Sequence, residues 1–224
     1  MQCHKPTGRY DSLALVATRA PERDRADETR RRILDEAARV FAERGYHGAS
    51  ISDVLEATGL TKGALYFHFP SKEALALAAF ADVQERWVSS VLAATDRRSS
   101  AMDQLRAMLE AAIAFAETQP AAGCTNRLAT ELSQDSFLRP RLAPFITRWE
   151  EMIEMLVRQG QQEGNLRSDV DPRSAARLAV AAFVGSEHTS WVTSGGEDLR
   201  DRAGDVLRLH LDSLAKRTED GRHR

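Results

Sequence analysis

Helix starts and stops crowd the stretch "SISDVLEATGLTKGALYFHFPSKEALA", Ser50 to Ala76. Ser50 followed by Asp53 three residues on is a capping-box start, and Gly59 supplies a left-handed stop about two turns later. Thr61 then caps a second short segment, which Pro70 ends because the residue before a proline is pushed out of the α region. Ser71 opens a third, longer helix with Leu75, Ala78, Ala79, Val83 and Trp87 as its apolar stripe. Upstream, Asp27 offers an N-cap for "ETRRRILDEAARVFAER". There Ile33, Ala37, Val40, Phe41 and Arg44 keep the spacing of an amphipathic helix that Gly45 closes. Two short helices joined by Gly-Leu under a longer first helix make a helix-turn-helix unit, with Ile33, Phe41, Ile51, Val54, Leu55, Leu60, Leu65 and Phe69 as its core.

The second short helix, "KGALYFH", is unusual. A glycine inside a helix costs about 1 kcal/mol relative to alanine, and this one also alternates polar and apolar residues. Placed with its N-terminus in a major groove, the segment makes sense. Gly63 lets the backbone approach closely, and the free N–H groups of the first turn favour phosphate. Tyr66 and His68 offer a hydroxyl and an imidazole to phosphate oxygens, and Lys72 adds a cation from the next helix. The aromatic residues and Leu65 form the packed face, with Leu65 and Phe69 inward. Each residue alone would be an ordinary surface residue; it is their joint placement after a capped two-turn helix that makes a recognition helix.

Composition agrees with an all-α chain. Of 224 residues only 6% are aromatic and alanine is abundant, while charged residues make up 29%. The net charge of −2 divides into +2 over residues 1–72 and −4 over the rest, an asymmetry too weak to decide for or against nucleic acid. Cys3 and Cys124 form neither a metal spacing nor a disulfide framework, which fits a reducing, cytoplasmic setting. The apolar run Leu178 to Gly185 is far short of the ~20 residues that span a bilayer, and "SLALVA" is too short for a secretory leader.

Helices are expected near 100–118, 122–133, 141–163, 172–193 and 198–216. Gly164, Asp171 and Pro172 mark one joint, as stop, cap and first-turn proline. The organisation predicted is a flexible arm over 1–26, a helix-turn-helix domain over 27–72, a ligand-binding and dimerisation domain over 73–217 and a disordered tail over 218–224. Ala175, Ala179, Ala182 and Gly185/Ser186 form a small-residue stripe suited to a dimer seam with the last helix, or equally to a crowded core. Leu109, Ile113, Phe145, Trp149, Ile153 and Phe183 supply apolar walls, with Thr130, Gln134 or the Trp149 indole as orienting groups for a small molecule. Apolar residues at this spacing more often fill a core than line a cavity.

"TKGALYFHFPSKEALA", preceded by "ILDEAARVFAERGYHGASISDVLEATGL", resembles the DNA-binding domain of the tetracycline-repressor (TetR) family over nearly all of residues 28–80. The resemblance implies an all-α homodimer that binds double-stranded operator DNA and a small-molecule effector. It places DNA contacts on Ser50, Ser52, Thr61, Lys62, Gly63, Tyr66, His68 and Lys72, with Lys62 reaching guanine O6/N7. "KGALYFHFPSKEALA", "NRLATE" (126–131) and "PFITRWEEM" are similar to the γ-butyrolactone-receptor branch. That likeness implies an effector site including Leu128 and Trp149 and a repressor released by a γ-butyrolactone, butenolide or furan signal. The alternative is an efflux or catabolic repressor sensing a hydrophobic drug or metabolite. An enzyme is not expected, since no G-x-S-x-G, H-E-x-x-H, P-loop or dinucleotide fingerprint occurs. No cofactor, metal or membrane association is expected either.

Overall fold

The computed structural model describes residues 11–119, 121–136 and 138–216, with side chains from Asp24 onward apart from 123–126. The helices are α1 (Asp11–Gly48), α2 (Ile51–Thr58), α3 (Lys62–His68), α4 (Lys72–Ala94), α5 (Ala101–Thr118), α6 (Ala122–Leu132), α7 (Arg139–Glu163), α8 (Pro172–Ser194) and α9 (Leu199–Leu214). The chain is all-α: among the described residues the one extended pairing is an isolated bridge between Leu166 and Ala215. Cys3, the side chains of Cys124 and Asn126, and the tail 218–224 lie outside the described residues.

Local chemistry sets most of these boundaries. Ser50 caps α2 in a reciprocal box: its hydroxyl accepts from the Asp53 N–H at 3.2 Å, and the Asp53 carboxylate accepts from the Ser50 N–H at 2.7 Å. Gly59 ends α2 at φ 66° and ψ 18°, the left-handed conformation. Thr61 and Ser71 cap α3 and α4 through the Ala64 and Ala74 N–H groups. The Asp171 carboxylate accepts from the Ser174 N–H at 2.9 Å to start α8, and Gly164 stops α7 at φ 77°.

The first helix departs from expectation at both ends. It begins at Asp11, so Asp27 is an interior residue and residues 11–26, expected as an arm, are helical. Asp27 looked like a cap, but the run "ERDRADETRRR" holds neither glycine nor proline and is rich in helix formers, so nothing there interrupts propagation. Thr29 behaves as a mid-helix threonine, donating its hydroxyl to the Arg25 carbonyl at 2.8 Å. At the other end Gly45 does not take the left-handed stop. Its φ of 71° and ψ of 175° lie in a region essentially reserved for glycine, and they kink the chain before its last turn.

Packing is in two connected bodies. Ile33, Phe41, Val54, Leu65 and Phe69 are buried between α1, α2, α3 and α4, with Ile51, Leu55 and Leu60 partly buried around them. In the larger body α5 is central, burying Leu105, Met108, Leu109, Ala112, Ile113 and Phe115 against α4, α6, α7 and α9. The α8–α9 corner is tied by Asp198. Its carboxylate accepts from the Ser190 and Ser194 hydroxyls at 2.5 and 2.7 Å and from the Arg202 guanidinium at 2.5 Å. Arg202, then the two serines, hold that carboxyl far below the usual carboxylate range.

The small-residue stripe of α8 is resolved by this packing. Ala175, Ala179 and Ser186 are buried and Ala182 is partly so. They serve the intramolecular core, because α7 and α9 pack on that side. The exposed line of α8 is rotated from it and runs through Leu178, Ala181, Gly185 and Val192. Val206 and Leu209 of α9 are likewise exposed.

Candidate nucleic-acid interface and enclosed cavity

The eight residues assigned to nucleic acid gather at α2, α3 and the start of α4. Ser52, Thr61, Lys62, Gly63 and Tyr66 are exposed there. Ser50 is exposed too, but its hydroxyl is engaged with Asp53, whose carboxyl is held low by the Ser50 hydrogen bonds and then by Arg44. Lys62 extends its ammonium toward the Tyr66 ring, 5.8 Å from the centroid. His68 is half-buried, its ring edge-on to Phe67 at 5.2 Å. Lys72 is half-buried because its ammonium lies 4.5 Å over the ring of Tyr46, a cation–π pair that holds it near the end of α3.

Two residues of this surface were not assigned from the sequence. Tyr46 carries Lys72, and its phenol is raised above its ordinary pKa by burial and then by Glu73. Phe67, expected on the packed face with the other aromatics, is instead 82% exposed. Alternation misled: α3 is a helix, so Leu65 and Phe69 share a face at i and i+4, whereas Phe67 two residues on points the other way. The angular count was the available signal.

The larger body contains a cavity of about 40 Å³ bounded by α4, α5, α6, α7 and α8. Trp87, Trp149 and Phe183 stack edge-to-face along it, with centroid distances of 4.3 and 5.4 Å. Phe80, Phe115 and Ile146 add apolar wall, and Gln84 and Glu187 are its polar members. Trp87 is 7% exposed and its indole N–H meets no acceptor among the described residues. An unmet buried donor of this kind costs about 1–3 kcal/mol. The cavity as it stands holds little more than water, since small-molecule pockets run to about 300–1,000 Å³. Admitting a ligand therefore requires the walls to move apart.

Of the nine residues assigned to a ligand, Trp149 and Phe183 line this cavity. Phe145 packs beside it, 5.0 Å from the Phe80 ring. Leu109, Ile113, Leu128 and Ile153 are buried elsewhere in the core, and Thr130 and Gln134 are exposed at the outside of α6 and after it. These four apolar residues follow the same spacing as the lining ones, so periodicity alone could not separate core from wall. Trp87 was legible only as part of the α4 stripe.

One helix serves both regions. Ala122 and Ala129 of α6 face the cavity, while Arg127 and Glu131 on its other side grip the end of α1. Arg127 donates to the Ala42 and Glu43 carbonyls at 2.9 and 2.7 Å, and Glu131 accepts the His47 N–H at 3.0 Å.

A capped helix pair beneath a long first helix, with basic and aromatic side chains outward, defines a helix-turn-helix protein carrying a second helical body. Residues 33–79 match the bacterial regulatory proteins of the tetR family, and residues 101–203 match the tetracyclin repressor-like C-terminal domain. The chain belongs to the TetR family. It is 34% identical over 191 residues to the A-factor receptor protein of Streptomyces griseus, covering 85% of this chain and 65% of that relative's length. It is 29% identical over 162 residues to the transcriptional repressor DhaR of Mycobacterium sp. (strain GP1), covering 70% and 79%. A structure solved for the molecular basis of control of antibiotic production by bacterial hormones superposes with a TM-score of 0.75 at 34% identity, covering 84% of this chain and 98% of that one. A TetR transcriptional regulator from Chloroflexus aurantiacus J-10-FL gives 0.75 at 31% identity, covering 87% and 100%. These relatives are regulators, not enzymes. No helix among the described residues is long and apolar enough to cross a membrane, and no cluster of metal-ligating side chains occurs among them.

Proposed function

We propose that this chain is a cytoplasmic, homodimeric transcriptional repressor that leaves its operator when a small signalling molecule of γ-butyrolactone, butenolide or furan type enters the cavity. The observation that carries the reading is the double use of α6, as cavity wall on one face and clamp on α1 on the other. A ligand that swells the cavity pushes on α6, a wall whose far side holds the DNA-reading unit. Release follows only if the ligand binds the displaced state more tightly than the resting one.

The likeness to the A-factor receptor favours a lactone, and the aromatic walls with few polar groups suit its alkyl chain. Two recognition helices must meet half-sites about 34–36 Å apart, so a second copy is required. Its seat is the exposed line Leu178, Ala181, Gly185 and Val192 with Leu209, where Gly185 leaves open space for close helix approach. An efflux or catabolic repressor sensing a hydrophobic drug or metabolite is the alternative, which the apolar cavity walls suit as well.

Fluorescence anisotropy with DNA from upstream of the protein's own gene, at fixed salt, tests both. Tight binding reversed by a γ-butyrolactone or butenolide panel supports the lactone reading. Tight binding reversed only by other hydrophobic metabolites supports the alternative, and failure to bind any such DNA refutes the repressor itself.

A further inference from the structure

Phe67 is more exposed than any other large apolar residue among those described, at 82%, yet it sits near the end of α3, the helix assigned above to nucleic acid. At about 100° per residue it lies about 200° around α3 from the fully buried Leu65, so it occupies the outermost line of the helix. Gly63, four residues earlier, shares that line. The Phe67 ring itself stands edge-on to His68 at 5.2 Å, so the backbone at Gly63 stays uncovered. Nothing inside the protein requires a glycine there: its φ is not positive, and a Cβ added at 63 would meet no atom within 4 Å. The missing side chain at Gly63 thus leaves a notch in the outer line of the helix, one turn from the exposed Phe67 ring and continuous with the exposed Lys62 and Tyr66.

Such a notch has one partner among base edges. In the major groove the C5-methyl of thymine is the apolar group on display, and a phenyl ring, with neither donor nor acceptor, cannot read the polar ones. We propose that Phe67 reads thymine, its ring and the bare Gly63 backbone taking the C5-methyl group of one thymine in each half-site. The proposal rests on the operator-binding reading above and adds to it a base preference beside the Lys62 contact.

The test pairs a protein substitution with the deletion of one methyl group. The full-length protein selects its preferred duplex from a random double-stranded library. Each thymine of that duplex is then replaced in turn by deoxyuridine, which removes the methyl and leaves base pairing and groove hydrogen-bonding groups in place. Wild-type protein should bind about fourfold more weakly when the critical thymine of one half-site is replaced, the loss expected for one buried methyl-sized group. Phe67→Ala should bind the thymine duplex more weakly and be indifferent to the same replacement. Because Phe67 is exposed, the variant should keep its helical circular dichroism, and that check accompanies the titration.

Wild-type binding unaffected at every thymine overturns the proposal. So does a Phe67→Ala variant that remains as sensitive to the methyl as wild type, or one that loses affinity equally for both duplexes with the methyl effect intact. Failure of the wild type to select any duplex overturns the operator-binding reading together with this one.

Discussion

Glu131 on α6 accepts the main-chain N–H of His47 at the end of α1, and its carboxylate occupies the space that a side chain at Gly45 would need. The kink at Gly45 and the clamp on it are therefore one construction: the chain bends where only glycine can bend, and the bend admits the carboxylate. Gly45→Ala faces both obstacles. Backbone strain in this region costs about 1–3 kcal/mol, and the added methyl displaces Glu131. Urea unfolding should show a loss of at least that size. The double variant Gly45→Ala/Glu131→Ala should recover only the steric part, because the backbone strain remains.

Arg127 holds the same turn by donating to the Ala42 and Glu43 carbonyls of α1. Hydrogen bonds to a charged donor are worth about 1.5–3 kcal/mol each when partly shielded. Arg127→Met keeps the stem and removes both bonds. It should leave operator affinity within a fewfold of wild type while shifting the effector concentration needed for release. Measuring DNA affinity at zero and at saturating ligand separates the two quantities. A variant whose free and liganded affinities keep the wild-type ratio would show that the grip carries no coupling.

What could be read in advance follows from how local the cause is. Ser50, Gly59, Thr61, Pro70, Gly164 and Asp171 act on the residues next to them, so their caps and stops were visible in the chain. Asp27 misled because a cap residue works only where the helix has another reason to start, and Arg-Glu-Ala-rich sequence upstream removed that reason. Phe67 was misplaced by counting in twos across a helical segment. The cavity was the hardest part: Leu109, Ile113 and Phe115 are all buried, and only the packing of five helices decides which of them faces a void. The α6 clamp depends on contacts 84 and 85 positions apart in the chain, beyond any local rule.

Lys72 is held over the Tyr46 ring with its ammonium near the end of α3. As a phosphate contact, it releases about one counterion's worth of salt dependence. Lys72→Ala should weaken binding to all duplexes alike and reduce the slope of log affinity against log salt by about one. Tyr46→Leu should produce a smaller loss with the slope kept, since the charge remains but its perch is gone. An unchanged slope in Lys72→Ala would exclude the phosphate contact.

His210 on α9 is 7% exposed, and burial pushes its imidazole below the ordinary histidine pKa, with the Ala175 main chain pulling weakly the other way. A folded-state pKa below the unfolded value means that protonation favours the unfolded chain. The contribution of the neutral ring is thus present above an unfolded pKa of about 6.5 and is lost as pH falls below it. Thermal unfolding of wild type should drop more steeply below about pH 6.5 than that of His210→Leu, and the two should run parallel above it. Parallel curves across the whole range would show that the ring does not titrate against folding.

Trp87 combines two costs in one side chain, a buried N–H without an acceptor and a place in the wall that must open. Replacing a polar group that has no partner by an apolar one of similar shape removes the desolvation penalty. Trp87→Phe also removes ring volume, which costs stability by leaving a larger void. The opposing terms make the free protein's stability change small, within about 1 kcal/mol by chemical unfolding. Ligand binding should not share that balance. A carbonyl-bearing lactone that takes the indole N–H loses a hydrogen bond in Trp87→Phe, whereas the matching cyclic ether loses none. Isothermal titration with the pair should show the lactone alone weakened, by about tenfold for a bond worth about 1.4 kcal/mol. Trp149→Ala, which removes the middle ring of the stack, should weaken both ligands together and leave the affinity for DNA close to wild type. Equal weakening of lactone and ether by Trp87→Phe would assign Trp87 a purely packing role and leave the polar contact to Gln84 or Glu187.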